Sequence, residues 1–376
     1  MFSETDQRHM QRALDLAAQG LYTSQPNPRV GCVIALNDRV LGEGFHARAG
    51  FAHAEVLALA AAGPAARGAT AYVSLEPCAH YGRTPPCADA LVQAGIARVV
   101  VATIDPFEAV AGRGLERLRA AGIRVDCGLL AKPARELNCG FFSRIERGRP
   151  YVRLKMACSL DARSALADGR SQWITGPKAR ADGHCFRARA GAILTGIGTV
   201  LADDPLLSVR IEAEHVEPRR VLLDRELRLP PGAKLLGSGL KPLVYTRSQA
   251  ALPRRAALAA VGAELVDLPD CAPDQETTGG TPDRDGLELA WVLADLARRE
   301  VNELHVEAGA RLSAALLSAQ LVDELLIYQS GRLLGTEARP LFALPSPSNL
   351  QQADNWRLVR FDAIGDNWRL ILRPTR

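Results

Sequence analysis

Apolar positions along the chain switch repeatedly between two periods. Met10, Ala13, Leu14, Ala17 and Ala18 recur at helical spacing, predicting a helix over residues 4–19 capped by Ser3 or Thr5 and ended by Gly20. Short apolar runs follow. Residues 30–36 and 40–46 read as a hairpin, and residues 69–75, 98–103 and 124–127 as further strands. Between them the helical period returns over residues 53–62, 87–94 and 114–121. This alternation predicts a three-layer α/β sandwich with a mixed sheet.

A short helix over residues 132–137 leads into Cys139-Gly140-Phe141-Phe142 and then the basic stretch Arg144-Ile145-Glu146-Arg147-Gly148-Arg149-Pro150, which reads as a linker. The boundary is placed between domains 1–147 and 148–376. Beyond it a second alternation begins. Strands are expected at 151–158, 192–195, 220–224, 242–246, 264–268, 303–307 and 322–328, and helices at 178–190, 252–261, 286–299 and 311–319. Residues 270–285, rich in Asp, Thr, Gly and Pro, read as a flexible insert.

Composition adds bounds rather than a function. The 376 residues, 47% hydrophobic and 23% charged, suit a soluble globular protein of two domains. A net charge of +4 over this length is too weak to argue for nucleic acid but suits an anionic small substrate. The eight cysteines are scattered apart from one loop pair, and so do not form a disulfide framework. The polar N-terminus is unlike a signal peptide, and no apolar run is long enough to span a bilayer. Together these features predict a cytoplasmic protein without membrane or nucleic-acid partners.

The loop pair carries the chemistry. His53-Ala54-Glu55 is followed by Glu76-Pro77-Cys78 and, after residues 79–86, by Cys87. One imidazole and two thiols make three zinc ligands and leave a fourth tetrahedral position open, as catalytic sites do. Glu55 need not bind the metal; a carboxylate there can carry a proton from water to a leaving group. A lone H-x-E is common by chance, and a cysteine pair is more often buried packing. Here, however, both thiols sit in a turn-rich loop with Pro77, Gly82, Pro85 and Pro86. His80 is the nearby candidate for a fourth protein ligand, which would make the site structural.

Other stretches stay open on residues alone. Asn27, between Pro26 and Pro28, is either a turn residue or an amide that reads a heterocycle beside the metal. His46 is close enough upstream of His53 for substrate contact. In the second half, Thr195-Gly196-Ile197-Gly198-Thr199 lacks the G-x-G-x-x-G dinucleotide fingerprint and reads as a turn. Val306-Glu307-Ala308-Gly309 runs from a strand into a helix start, a geometry that can cradle phosphate.

The run Pro77-Cys78-Ala79-His80-Tyr81-Gly82-Arg83-Thr84-Pro85-Pro86-Cys87 closely resembles the deaminase domain of the bifunctional riboflavin-biosynthesis deaminase–reductase family. Its long cysteine spacing departs from the general zinc-deaminase signature P-C-x-x-C and fits this subgroup. Leu154–Asp161, Ser171–Thr175, Gly198–Arg210 and Val306–Gly309 resemble the family's reductase half. The resemblance implies a cytidine-deaminase-like sandwich followed by a dihydrofolate-reductase-like α/β domain. It implies one zinc on His53, Cys78 and Cys87 with Glu55 as proton carrier, and NADPH against Ala157, Trp173, Thr199, Asp203 and the Gly309 turn. A phosphorylated pyrimidine would meet Asn27 and His46 in the first half, and Ser171, Arg187, Leu207, Arg210 and Glu307 in the second. Arg187 and Arg210 suit phosphate because guanidinium forks match its oxygens; Trp173 could equally be core. A homo-oligomer, dimer or tetramer, is expected. Phe107 and Glu108 stand where the family has Asn and Pro, Ala162 where it has Gly, and Ser330-Gly331 where it has Ala-Pro.

Overall fold

The computed structural model describes residues 2–79, 86–108, 110–237, 239–247, 252–269 and 284–375. The chain divides into two compact units, residues 1–148 and 149–376.

In the first unit the helices are α1 (Glu4–Gln19), α2 (Ala54–Ala62), α3 (Cys87–Gln93), α4 (Arg113–Ala120), α5 (Ala131–Leu137) and α6 (Cys139–Arg147). The strands are β1 (Gly31–Leu36), β2 (Arg39–Phe45), β3 (Thr70–Val73), β4 (Arg98–Val101) and β5 (Arg124–Cys127). They form a mixed sheet in the order β2-β1-β3-β4-β5, antiparallel around β1 and parallel from β3 onward. Side chains alternate across a strand, and β1 shows it. Val33 and Ala35 bury against Met10, Ala13 and Leu14 of α1, while Cys32 and Ile34 bury against Ala54 and Ala58 of α2. This is the three-layer sandwich expected.

Two glycines set how closely α2 sits on the sheet. A Cβ on Gly42 would lie 2.2 Å from the Ala58 carbonyl oxygen, and one on Gly44 would lie 2.4 Å from that of Ala54. Only a bare backbone admits that approach.

Residues 139–147, read as part of a connector, are helical. Phe141, Phe142 and Ile145 share one face and bury against Leu75 and Val30, and the Arg135 guanidinium stacks 4.0 Å above the Phe142 ring. That apolar face outweighs the flanking charge and Gly. Asn138, between α5 and α6, accepts from Arg29 N at 2.8 Å and donates to Arg29 O at 2.9 Å.

The second unit contains α7 (Pro177–Ala188), α8 (Ile197–Asp203), α9 (Leu252–Ala260), α10 (Arg284–Arg298) and α11 (Ala310–Ser318). Its strands are β6 (Tyr151–Cys158), β7 (Arg163–Ala165), β8 (Ala192–Gly196), β9 (Arg219–Leu223), β10 (Leu243–Arg247), β11 (Glu264–Leu268), β12 (Glu303–Val306), β13 (Glu324–Ser330), β14 (Arg339–Pro340), β15 (Trp356–Ile364) and β16 (Asn367–Pro374). The main sheet runs β11-β10-β9-β8-β12-β6-β13-β16-β15, parallel except where β13, β16 and β15 turn back on one another. Its core gathers Leu154, Met156, Leu194, Val221, Tyr245, Leu304 and Leu325.

Three readings change. The turn expected at residues 195–199 is the start of α8, so β8 feeds a helix directly. The C-terminal hairpin β15–β16, absent from the sequence reading, extends the sheet. The insert placed at residues 270–285 falls outside the described residues up to 283, and Arg284 already begins α10. Ala162, where the resemblance led to Gly, takes φ +55° in the turn after β6. Left-handed backbone strains any residue with a Cβ, and glycine is free of that strain.

Asp6 ties the first unit together. It is 4% exposed and completes the α1 capping box with Ser3. It also accepts from Tyr72 Oη at 2.9 Å and from Arg98 Nη1 at 2.7 Å. Burial pushes its pKa up, but Arg98, Ser3 and Tyr72 together hold it well below the usual carboxylate range. A carboxylate with a depressed folded pKa stabilises above its unfolded value of about 4 and loses that contribution as pH falls through the folded one. Asp6→Asn is therefore expected to lower stability by about 2–4 kcal/mol at pH 7, with a penalty that shrinks toward pH 3 in urea unfolding. Ala162→Gly is expected to raise stability by about 0.5–1 kcal/mol in the same measurement.

Candidate active sites

The first site is built at the carboxyl end of β3 and the start of two helices. His53 is the N-cap of α2, Glu55 lies in its first turn, and Cys87 opens α3. One ligand atom from each of His53, Cys78 and Cys87 lies within 4.8 Å of the others. His53 Nδ1 is 3.3 Å from Cys87 Sγ and 3.6 Å from Cys78 Sγ, and the Cys87 backbone N–H donates to Cys78 Sγ at 3.3 Å. The Cys87 thiol and His53 lower the pKa of Cys78, which favours the thiolate that metals bind. Cys87 is pushed upward by its partner Cys78 and by burial. An imidazole and two sulfurs converging on one point is a donor set that zinc fits.

Glu55 is 3% exposed, and burial followed by the negative charge of Cys78 raises its pKa to about 7. Asn27, half-buried, lies with Nδ2 3.0 Å from His46 Nε2, and His46 Nδ1 is 3.2 Å from the Ala52 carbonyl oxygen. The carbonyl can only accept, so Nδ1 carries the proton and Nε2 accepts from Asn27. Burial lowers the His46 pKa and keeps that ring neutral. The Asn27 side-chain oxygen is thereby left to face a ligand.

Glu76 holds the cysteine loop in place, a role that sequence reasoning missed. Its carboxylate accepts from the backbone N–H groups of Asp105 (3.2 Å), Gly112 (2.9 Å), Gly114 (2.9 Å) and Leu115 (3.3 Å). A Cβ on Gly114 would lie 2.1 Å from the Pro77 carbonyl oxygen. A buried carboxylate two residues before a ligand cysteine, matched to a Gly-rich turn further on, was the available signal. His80 lies outside the described residues.

In the second unit a cavity of about 1120 Å³ opens along the carboxyl ends of the parallel strands. Ala157, Ser171, Thr199, Asp203, Glu307 and Gly309 all line it. The N-termini of α8 and α11 meet there, and a Cβ on Gly309 would lie 4.0 Å from Thr199 Oγ1, in the gap between them. Open space between two helix starts fits the pyrophosphate of a dinucleotide. Trp173 is 58% exposed with the Arg180 guanidinium 4.3 Å above its ring, so it is not core. Arg187 donates to both Glu307 oxygens, at 2.5 and 2.8 Å, and to Ser208 O at 2.8 Å. Its guanidinium still keeps an N–H on each terminal nitrogen for a phosphate oxygen. Burial opposes ionisation of Glu307, but Arg187 and Lys155 hold its pKa well below the carboxylate range. Leu207 is buried and Arg210 exposed.

Residues 3–103 match the cytidine and deoxycytidylate deaminase zinc-binding region, and residues 150–370 match the RibD C-terminal domain. Riboflavin biosynthesis protein RibD of Haemophilus influenzae is 45% identical over 385 residues, covering 99% of this chain and 98% of that protein. The Escherichia coli protein of the same name is 44% identical over 96% of this chain and 97% of its own length. The chain belongs to the RibD family. Among solved structures, Acinetobacter baumannii RibD (form 1) superposes with a TM-score of 0.89 at 42% identity over 99% of both chains. A diaminohydroxyphosphoribosylaminopyrimidine deaminase/5-amino-6-(5-phosphoribosylamino)uracil reductase from Thermotoga maritima gives 0.84 at 31% identity, over 98% of this chain and 99% of that one.

Phe107, where the resemblance led to Asn, is 43% exposed and donates its N–H to Asp105 at 2.8 Å. That contact is a backbone one, so the turn survives the exchange. The weak point of this RibD site is Glu76. Glu76→Gln replaces an acceptor by a donor facing backbone N–H groups, and is expected to cost about 2–4 kcal/mol in urea unfolding and to reduce retained zinc measured by mass spectrometry of the metal.

Proposed function

We propose that the residues described above carry out, one unit each, the two steps of this enzyme. The protein is a bifunctional riboflavin-biosynthesis enzyme. It deaminates 2,5-diamino-6-(5-phosphoribosylamino)pyrimidin-4(3H)-one, and with NADPH it reduces the ribosyl group of 5-amino-6-(5-phosphoribosylamino)uracil to ribityl. The observation that carries the residue assignment is the convergence of His53, Cys78 and Cys87 beside a buried Glu55.

In the first unit, His53, Cys78 and Cys87 would hold zinc, which would supply Lewis acidity toward water. Glu55 takes a proton from the attacking water and returns it to the amino nitrogen. The ring carbon gains oxygen, the C–N bond breaks and ammonia leaves. Asn27, fixed by His46, offers its side-chain oxygen to an N–H of the pyrimidine. Because both ring nitrogens of His46 are engaged, its part in substrate binding runs through Asn27.

In the second unit, NADPH held in the cavity would supply the hydride for C1′ of the sugar. Ala157, Thr199, Asp203 and the Gly309 turn, which line the cavity, hold the cofactor together with Trp173. Ser171, Leu207 and Glu307 contact the ribosyl part, and Arg187 and Arg210 hold the phosphate. Orientation in the cavity carries most of this step.

The same reading places the enzyme in the cytoplasm as a homo-oligomer, a dimer or tetramer. The seven described cysteines form no disulfide, which suits a reducing compartment. Among the described residues, no helix is long and apolar enough to cross a membrane. The edge strand β15 exposes Leu358, Val359 and Phe361 by 51%, 45% and 56%, an apolar edge that a second copy would cover.

Mass spectrometry of the diaminopyrimidinone incubated with the protein tests the whole assignment. Without NADPH the expected change is amine-to-carbonyl exchange, and with it a further gain of two hydrogens. Glu55→Ala should slow the first change by about 100-fold or more while still reducing supplied deaminated intermediate. His53→Ala should lose the first change together with the zinc. A Glu55→Ala enzyme that deaminates normally would refute the proton-carrier role.

A further inference from the structure

The stretch Leu206–Arg210 follows α8 and belongs to no strand. Its backbone is nevertheless fixed at three successive residues, each by a side chain. Ser208 O accepts from Arg187 Nη1 at 2.8 Å, Val209 N donates to Glu217 Oε1 at 3.2 Å, and Arg210 N donates to His184 Nδ1 at 3.2 Å. Leu207, 3% exposed at φ +50°, anchors the start of the run. His184 and Arg187 lie one turn apart on α7, so a single helix face grips the stretch at two points.

We infer that His184 is a positioning residue for the reductase step, and that its imidazole sets the backbone of Arg210 and thereby aims the guanidinium that meets the substrate's phosphate. This rests on the reading of Arg210 as a phosphate contact. The imidazole cannot reach that phosphate readily itself, because it is 8% exposed. Arg210 is exposed, and its side chain has no carboxylate partner among the described residues.

The hydrogen bond imposes a protonation state. A backbone N–H is the donor, so Nδ1 must be bare. Burial, then the charges of Arg187 and Arg210, push the His184 pKa down to about 4, with Lys155 adding to them and Glu307 opposing. The acceptor is therefore available throughout the neutral range. Glu307 lines the cofactor cavity, and Arg187, which donates to Glu307, also donates to Ser208 O two residues before Arg210, which ties the stretch to a cavity-lining group. A histidine kept only for packing would not need an unprotonated Nδ1 facing a backbone N–H.

Three substitutions separate positioning from packing. His184→Asn puts an amide oxygen near the place of Nδ1, His184→Gln puts its amide near Nε2, and His184→Phe keeps the ring without an acceptor. The full-length enzyme is assayed on the deaminated intermediate at saturating NADPH, on the same compound without its phosphate, and for NADPH affinity by fluorescence titration. The deamination rate reports on the integrity of the rest. His184→Phe and His184→Gln are expected to raise KM for the phosphorylated compound about tenfold, leaving kcat, NADPH affinity and deamination unchanged. His184→Asn should stay within about threefold of the parent. The dephosphorylated compound should not distinguish any of them, and adding His184→Phe to Arg210→Ala should cost nothing more.

If Arg210→Ala leaves KM unchanged, the phosphate reading of Arg210 fails and the inference with it. If Arg210→Ala raises KM but His184→Gln does not, or if the loss is equal with and without the phosphate, the phosphate reading stands and positioning by His184 is overturned. Should His184→Phe fail to fold, the contrast between Asn and Gln decides alone.

Discussion

A single carboxylate keeps the deaminating site assembled. Glu76 leaves the end of β3 and spends both oxygens on four backbone N–H groups of the 105–115 turn. Cys78 is two residues away, so the same anchor fixes the first sulfur. The second sulfur is fixed by the start of α3 and the histidine by the start of α2. The three donors thus come from three local structures that share no regular hydrogen-bond ladder. A metal can hold such a set together, but the protein must first bring the set within reach.

The reductase unit uses charge where the deaminase unit uses backbone. Glu303 and His305 on β12 and Glu307 just beyond it take alternate positions, hence one face. Arg153 and Arg189 donate to Glu303 at 2.9 Å each, and Arg187 brackets Glu307. Glu303 and His305 are fully buried. Removing one member of such a set leaves another charge without its partner, which costs about 3–5 kcal/mol. The Arg187–Glu307 pair is therefore the outer end of a network that also holds α7 to the sheet.

Much of this was legible in the residues. The period changes located most helices and strands, because each buries an apolar face of fixed spacing. The convergence of His53, Cys78 and Cys87 was legible because two thiols in a turn-rich loop, with an H-x-E ahead of them, have few other reasons to be there. What escaped was set by contacts far apart in sequence. Residues 139–147 look like a linker until Leu75 and Val30 are placed under Phe141 and Phe142. Glu76 looks like one more acid until residues 105–115 fold back on it. Residues 195–199 fail the glycine fingerprint, yet the phosphate-sized gap arises from two separate helix starts, α8 and α11, which no contiguous motif records. Trp173 showed the reverse: large and aromatic, it fitted a core position by type but stands exposed beside Arg180.

The height of the metal helix above the sheet is decided by two side chains that are not there. With Gly42 and Gly44 bare, α2 rests its carbonyls on the backbone of β2, and His53 and Glu55 inherit their depth from that seat. The outer hairpin in this sense sets the geometry of the site. Sequence drift along β2 is then uneven. Arg39 and Val40 face solvent and are free to change, while the two glycines a few residues on admit almost no substitute, since even one added methyl group would push α2, and Glu55 with it, away from the sheet.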